Sequence, residues 1–473
     1  MGHGTDRPEG VRLGAEVIAR PPAPGARRTG DLRFQVENLT RVEGEGSLQL
    51  LVREGVVEEA RLQIFEAPRY FEALVAGRSP DEVLDIVARI CGICPVAYQM
   101  SAVHAFEDLF GVEVEPSTRA LRRLLYCAEW IESHALHVYL LHAPDFLGYP
   151  SAVELALDHR ELVADGLRLK QVGNRLLTTL GGRPIHPVSV RVGGWSRVPR
   201  RAELAALRPA LDDALRLARA TVEVALSLEP PVFEREPRLV ALRHAAEYPM
   251  NEGRIVSTDG LDLAPGAWGE AFHEVQVPWS NALQARGTDE LPYLLGPSAR
   301  IVLDHDRLHP LAREALVASG ALESIRRNPY RSIVARAIEL VHATAEAIDL
   351  VDTYVPPDAP AVAWQPRPGI AAWATEAPRG LLFHRYEVGA DGLVAAASIV
   401  PPTSQNQAAI EADIATFAPR VLDLPMDAAT HALEQLIRSY DPCISCATHF
   451  LDLRIDGRVG PVSPLRRPQP ERR

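Results

Sequence analysis

Arg89-Ile90-Cys91-Gly92-Ile93-Cys94 near the start of the chain and Asp441-Pro442-Cys443-Ile444-Ser445-Cys446-Ala447-Thr448-His449 near its end together hold four of its five cysteines. Two residues between thiolates let both sulfurs of a pair turn toward one ion, and two such pairs supply four soft, anionic ligands. The same spacing fits a structural four-cysteine zinc site. Zinc knuckles, however, close pairs about 15 to 20 residues apart, whereas nearly the whole chain separates these two. A chain of 473 residues buries a core without the help of a metal, so a site assembled from its two ends reads as a working centre. A dithiol redox pair would explain one Cys-x-x-Cys and leave the other idle.

Length alone suggests two or three domains; a site that closes from both ends favours one large unit over residues 31–449. Hydrophobic residues make up 47% and charged residues 24%, ordinary for a globular protein. The net charge of -12 excludes nonspecific nucleic-acid binding, which needs a basic face. Lys170 is the only lysine; with so much arginine and alanine this reads as composition bias. No apolar run reaches the length of about 18 residues needed for a membrane span. Residues 1–30, rich in Gly, Pro and Arg, read as a disordered extension. Arg27-Arg28 opens no hydrophobic segment, so export is not expected. Cysteines spaced for metal, not disulfides, agree with a reducing, cytoplasmic setting.

Alternating runs between Leu32 and Ile64, broken at Gly44, Gly46 and Gly55, predict a small antiparallel sheet. Apolar residues recurring at three and four positions predict a helix from Pro80 that delivers Cys91, another from Pro95, and long helices over Leu121–Leu141, Leu155–Leu180 and Ala202–Leu228. Residues 230–297 show no clean period and read as irregular with short strands. Helices resume from His309 to Ile348, and Pro356–Pro368 reads as an extended linker. Leu381–Val388 and Leu393–Val400, flanking Gly389–Gly392, read as a hairpin. A final helix leads into the second cysteine pair. The expected class is α+β, mostly α-helical: a long-helix bundle with small peripheral antiparallel sheets. Cys127 lies in an apolar helical run and reads as a core residue. His134, His137 and His142 have no partner motif and read as packing.

Arg-x-Cys-Gly-x-Cys followed in this order by Asp-Pro-Cys-x-x-Cys-x-x-His resembles the large, catalytic subunit of nickel-iron hydrogenases, over roughly Arg33 to His449. The run Cys94-Pro95-Val96-Ala97-Tyr98-Gln99-Met100-Ser101 resembles their cytoplasmic, NADP-linked or sulfhydrogenase branch. The resemblance implies that Cys91 and Cys443 are terminal nickel ligands. Cys94 and Cys446 would bridge to an iron that carries carbon monoxide and cyanide. Glu43, in Arg41-Val42-Glu43-Gly44, matches the first proton carrier of the reversible oxidation of dihydrogen. Arg379 matches the arginine over the open side of the metals, Pro378 and Thr403 positions that enclose the cyanides, and Asp441 a charge partner for Arg379. Glu72 and His449 match ligands of a second ion, usually magnesium, and His186 a residue on the face where an iron-sulfur small subunit docks. Flavin- or NAD(P)-binding and further iron-sulfur subunits are implied beyond it.

The chain departs from the family at Tyr98, where a histidine is common, and at Ser133, where respiratory relatives carry an acid beside the arginine. A nickel-free homologue and a four-cysteine zinc scaffold remain the alternative readings. The resemblance also implies that a maturation endopeptidase removes residues 450–473 after metal insertion. The intact mass of active protein is therefore expected to end at His449, and a mass that still includes Arg473 would contradict this.

Overall fold

Apolar on nearly every side and rich in alanine, helix Ser332–Thr353 is buried along most of its length, as a helix surrounded by others must be. In this computed structural model of the chain, helices Pro116–Ala135 and Arg208–Ser227 pack on it, and helix Arg160–Gly181 packs on Pro116–Ala135. The approach of that last pair is close. A Cβ at Gly173 would stand 2.7 Å from the Ala128 carbonyl oxygen and 2.8 Å from Glu132 N, so only glycine lets the two backbones meet there. A π-helical segment, Leu136–His142, continues from Pro116–Ala135.

The structure describes residues 32–54 and 56–448, together with the short strands Ala15–Val17, Leu453–Ile455 and Arg458–Gly460. Ala15–Val17 pairs with Phe34–Val36. The remainder of the expected extensions 1–30 and 450–473, and His449, lie outside the described residues.

Two antiparallel sheets flank the helices and matter for the site. Leu32–Val36, Gly46–Arg53 and Val56–Ile64 form a meander whose inward face packs against helices Pro402–Phe417 and Met426–Ser439. Gly369–Ala377, Gly380–Val388 and Val394–Val400 form the other sheet. In its register Ala377 faces Gly380, so Pro378-Arg379 is a two-residue hairpin turn. All four paired cysteines belong to the large helical core, while Ile444 and Ala447 of the second motif pack with Ile64 of the meander. The cysteines therefore lie where the helical core meets the N-terminal sheet.

The mostly helical α+β class is what the structure shows. Three local readings differ. Pro356–Pro368 is extended but is no free linker: Trp195 N donates to the Pro360 carbonyl (2.7 Å) and Val362 N to that of Gly193 (3.0 Å), which straps it to the body. Gly369–Ala377, unassigned in the sequence, is a strand whose alanines give little β propensity. Pro402–Phe417 is a helix buried on nearly all sides, so it carries no amphipathic stripe for periodicity to detect.

Candidate metal centre

The first cysteine pair is held between two helix ends. Ser79 and Glu82 form a capping box and Pro80 occupies the first turn, which fixes the start of helix Pro80–Val87. A single 3-10 turn, Ala88–Ile90, then presents Cys91. Cys94 is the residue before helix Pro95–Phe110, again with proline in the first turn. Between them Ile93 N and Cys94 N point at Cys91 Sγ, 3.3 and 3.2 Å away. The Glu129 carboxylate accepts from Val96 N (2.6 Å) and Ala97 N (3.3 Å), so the orphan donors of the new helix are satisfied from inside the core.

The second pair is held by the other end of the chain. After helix Met426–Ser439, Asp441 adopts a left-handed backbone (φ 53°) that turns the chain back. Cys443 then forms a parallel bridge with Glu43, and Ile444 N donates to the Glu43 carbonyl at 2.9 Å. Thr403 Oγ1 accepts from Cys443 N at 2.9 Å. Gly44 (φ 89°) admits this contact because a Cβ there would meet Ile444 Cβ at 2.7 Å and Ser445 N at 2.9 Å.

One guanidinium spans both motifs. Arg69 Nη2 donates to the Ile90 carbonyl (2.8 Å), immediately before Cys91, and to that of Ser445, immediately before Cys446. Arg69 N donates to the Thr448 carbonyl at 2.7 Å. Arg69 was not among the residues expected at the site; its one signal in the sequence is its place in Arg69-Tyr70-Phe71-Glu72.

The result is four buried sulfurs within 4.8 Å of one another. Cys443 and Cys446 Sγ are 2.8 Å apart, Cys91 and Cys443 3.5 Å, and Cys94 and Cys446 3.8 Å. Burial pushes the Cys94 and Cys446 thiols up, and hydrogen bonding to Cys446 does the same for Cys443. Burial also opposes ionisation of Cys91, but its neighbours' hydrogen bonds and the Arg379 charge bring it well below the ordinary thiol range. Four buried thiolates together need a cation, whose binding releases the thiol protons, and four soft sulfur donors suit a soft or borderline transition metal.

Arg379 answers the remaining charge. It is buried, its Nη2 donates to Asp441 Oδ1 (3.0 Å) and its Nε to the Asp441 carbonyl (2.8 Å), while Nη1 has no hydrogen-bond partner among the described residues. Arg336 approaches the other Asp441 oxygen at 3.9 Å. Ser133 is buried without an acid in its place. Glu43 Oε2 accepts from Cys443 Sγ and from Ser445 N, both at 3.1 Å. Ser445 Oγ in turn donates to Glu66 Oε2 at 3.0 Å.

The other sequence candidates fall outside this cluster. His186, also left-handed (φ 51°), donates through Nδ1 to the Ala88 carbonyl at 2.7 Å, beside a half-exposed Ile185. Glu72 accepts from Ile399 N at 2.7 Å, and its expected partner His449 lies outside the described residues. His134 meets Glu339 (2.9 Å) and His137 donates to the Arg438 carbonyl (2.8 Å). His142 and Cys127 are buried in the core.

A family model described as nickel-dependent hydrogenase matches residues 69–164 and 297–449. Sulfhydrogenase 1 subunit alpha of Pyrococcus furiosus is 31% identical over 426 residues, 89% of this chain and 99% of the relative. Sulfhydrogenase 2 subunit alpha of the same organism is 31% identical over 89% of this chain and 100% of its own. A crystal structure of an NAD+-reducing [NiFe]-hydrogenase in the H2-reduced state superposes with a TM-score of 0.80 at 28% identity, covering 88% of this chain and 99% of that one. The [NiFeSe]-hydrogenase of Dm. baculatum shares the fold, with a TM-score of 0.72 at 21% identity over 89% and 100% of the two chains. A chain with this fold, this sequence kinship and four thiols converging from its two ends belongs to the nickel-dependent hydrogenases, as the catalytic large subunit of a nickel-iron enzyme.

Proposed function

We propose that Cys91, Cys94, Cys443 and Cys446 hold nickel, that Cys94 and Cys446 also reach an iron carrying carbon monoxide and cyanide, and that Glu43 and Arg379 serve the reversible oxidation of dihydrogen there. The observation that carries this is the contact of Glu43 with Cys443: a carboxylate 3.1 Å from a buried thiol of a four-sulfur cluster. A structural zinc site has no use for it. When bound, the metal pair supplies Lewis acidity and redox capacity. The chain supplies the rest. Glu43 Oε2 accepts the proton from Cys443 Sγ while Ser445 N holds the same oxygen in place. Ser445 Oγ donates to the partly exposed Glu66, a second carboxylate next to this one. Arg379, fixed by Asp441, compensates the anionic sulfurs. Thr403, which accepts from Cys443 N, and Pro378, which precedes Arg379, would enclose the diatomic ligands.

Electrons leave through an iron-sulfur small subunit that docks on the His186 face. This chain's remaining cysteine, Cys127, is buried alone, while clusters need four thiolates each. The relatives are named as alpha subunits and the structural neighbour as NAD+-reducing, which supports flavin- or NAD(P)-binding and further iron-sulfur partners here. Glu72 with His449 would take magnesium. No helix among the described residues is long and apolar enough to cross a membrane; cysteines spaced for metal and not for disulfides favour a cytoplasmic complex.

Metal analysis of the purified complex should find one nickel and one iron per chain, and Cys446→Ala should abolish both the metals and hydrogen-dependent dye reduction. Zinc alone would support the scaffold reading. Glu43→Gln should retain nickel yet lower isotope exchange between dihydrogen and water by about 10²-fold or more; exchange at the wild-type rate would remove Glu43 from the proton route.

A further inference from the structure

Helix Pro297–Asp304 starts directly after Gly296, whose own Cα lies so near the Arg379 carbonyl oxygen that a Cβ would stand 2.9 Å from it. One turn into this helix, Arg300 is completely buried and uses all five of its N–H donors. Nε and Nη2 donate to the two oxygens of Glu339 at 2.7 and 2.8 Å. Nη1 donates to Glu376 Oε2 at 2.9 Å and to the Ala377 carbonyl at 3.0 Å, and Nη2 donates to the Pro378 carbonyl at 2.9 Å. The Trp130 ring covers the guanidinium face at 4.3 Å.

The two carboxylates are fixed in turn. Tyr248 Oη donates to Glu339 at 2.7 Å, His134 Nε2 lies 2.9 Å from its other oxygen, and Leu242 N donates to Glu376 Oε1 at 2.7 Å. Burial opposes the Arg300 charge, yet Glu339 and Glu376 hold it well above the ordinary guanidinium range.

A buried ion network of this kind is no better for stability than apolar side chains of the same volume, so stability does not explain why an arginine stands here. Its geometry does. The carbonyls it grips belong to Ala377 and Pro378, the two residues before Arg379, at the two-residue hairpin turn between the paired strands. A lysine has three donors on one nitrogen and cannot span two carboxylates and two carbonyls.

We propose that Arg300 is a positioning residue for the reaction: it locks the Pro378-Arg379 turn from behind so that the Arg379 guanidinium is aimed across the sulfur cluster. This rests on the role of Arg379 proposed above. Arg300 itself touches neither the sulfurs nor the space they enclose.

The test is a double-mutant cycle in the intact complex with Arg300→Lys, Arg379→Lys and the pair. Each is assayed for nickel and iron content, thermal unfolding, infrared bands of metal-bound diatomic ligands, and kcat and KM for dihydrogen with a dye acceptor. Arg379→Lys is expected to lower kcat about 10²-fold. Arg300→Lys should keep both metals, shift the infrared bands and lower kcat about tenfold through misplacement of Arg379. In the double variant the loss should equal that of Arg379→Lys alone. Wild-type turnover in Arg300→Lys, or losses that multiply in the double variant, would overturn the positioning role and leave the proposed function standing. Arg379→Lys at wild-type turnover with full metal content would overturn the role of Arg379 and this inference with it. Should Arg300→Lys fail to fold, Glu339→Gln, which replaces one of the two Glu339 oxygens gripped by Arg300, takes its place in the cycle with the same expected and contrary outcomes.

Discussion

Four sulfur atoms crowded within 4.8 Å in a dry interior cannot all be ionised unless positive charge is brought to them. Much of the structure around the two cysteine pairs serves that need. Burial pushes the Cys94 thiol up, while its neighbours' hydrogen bonds and the Arg379 charge bring Cys91 down. Arg379 offers a fixed positive charge and Asp441 keeps it there. Arg69 neutralises nothing directly, but by gripping the carbonyls of Ile90 and Ser445 it sets the distance between two segments separated by most of the chain.

Such an arrangement is assembled from backbone that is not at ease. Six non-glycine residues among the described ones are left-handed, and four of them, Arg41, Tyr70, His186 and Asp441, with φ between 51° and 56°, lie in or beside the motifs singled out above. Arg41 stands two residues before Glu43, Tyr70 two before Glu72, and Asp441 two before Cys443. Conformations of this kind cost about 1 to 3 kcal/mol each and persist where surrounding contacts over-determine them. Here those contacts are visible: Arg41 is tied to Asp145 and to the Leu141 carbonyl (3.0 Å), and Asp441 is held by Arg379.

What was legible in the sequence was whatever chemistry imposes on residue type. Soft ligands at fixed spacing marked both cysteine pairs, and the amphipathic helices Arg160–Gly181 and Arg208–Ser227 announced themselves by period. The Pro378-Arg379 turn that carries the arginine was found through its motif and not through any periodicity. Polar residues buried by partners far along the chain were not legible. Gln405 lies in helix Pro402–Phe417, and its side-chain amide oxygen accepts from Trp268 Nε1 (3.1 Å) and Tyr293 Oη (3.0 Å), more than a hundred residues away in the chain. Arg300 and Arg69 were equally hidden: in a chain whose positive charge is nearly all arginine, nothing local separates a buried clamp from a solvated side chain.

The convergence of the two cysteine pairs on one bimetallic site is tested most directly by X-ray absorption at the nickel edge of the purified complex. Nickel surrounded by sulfur from four cysteines, with an iron atom as its next heavy neighbour, is the expected spectrum; a shell dominated by nitrogen or oxygen, or nickel without iron beside it, would contradict it.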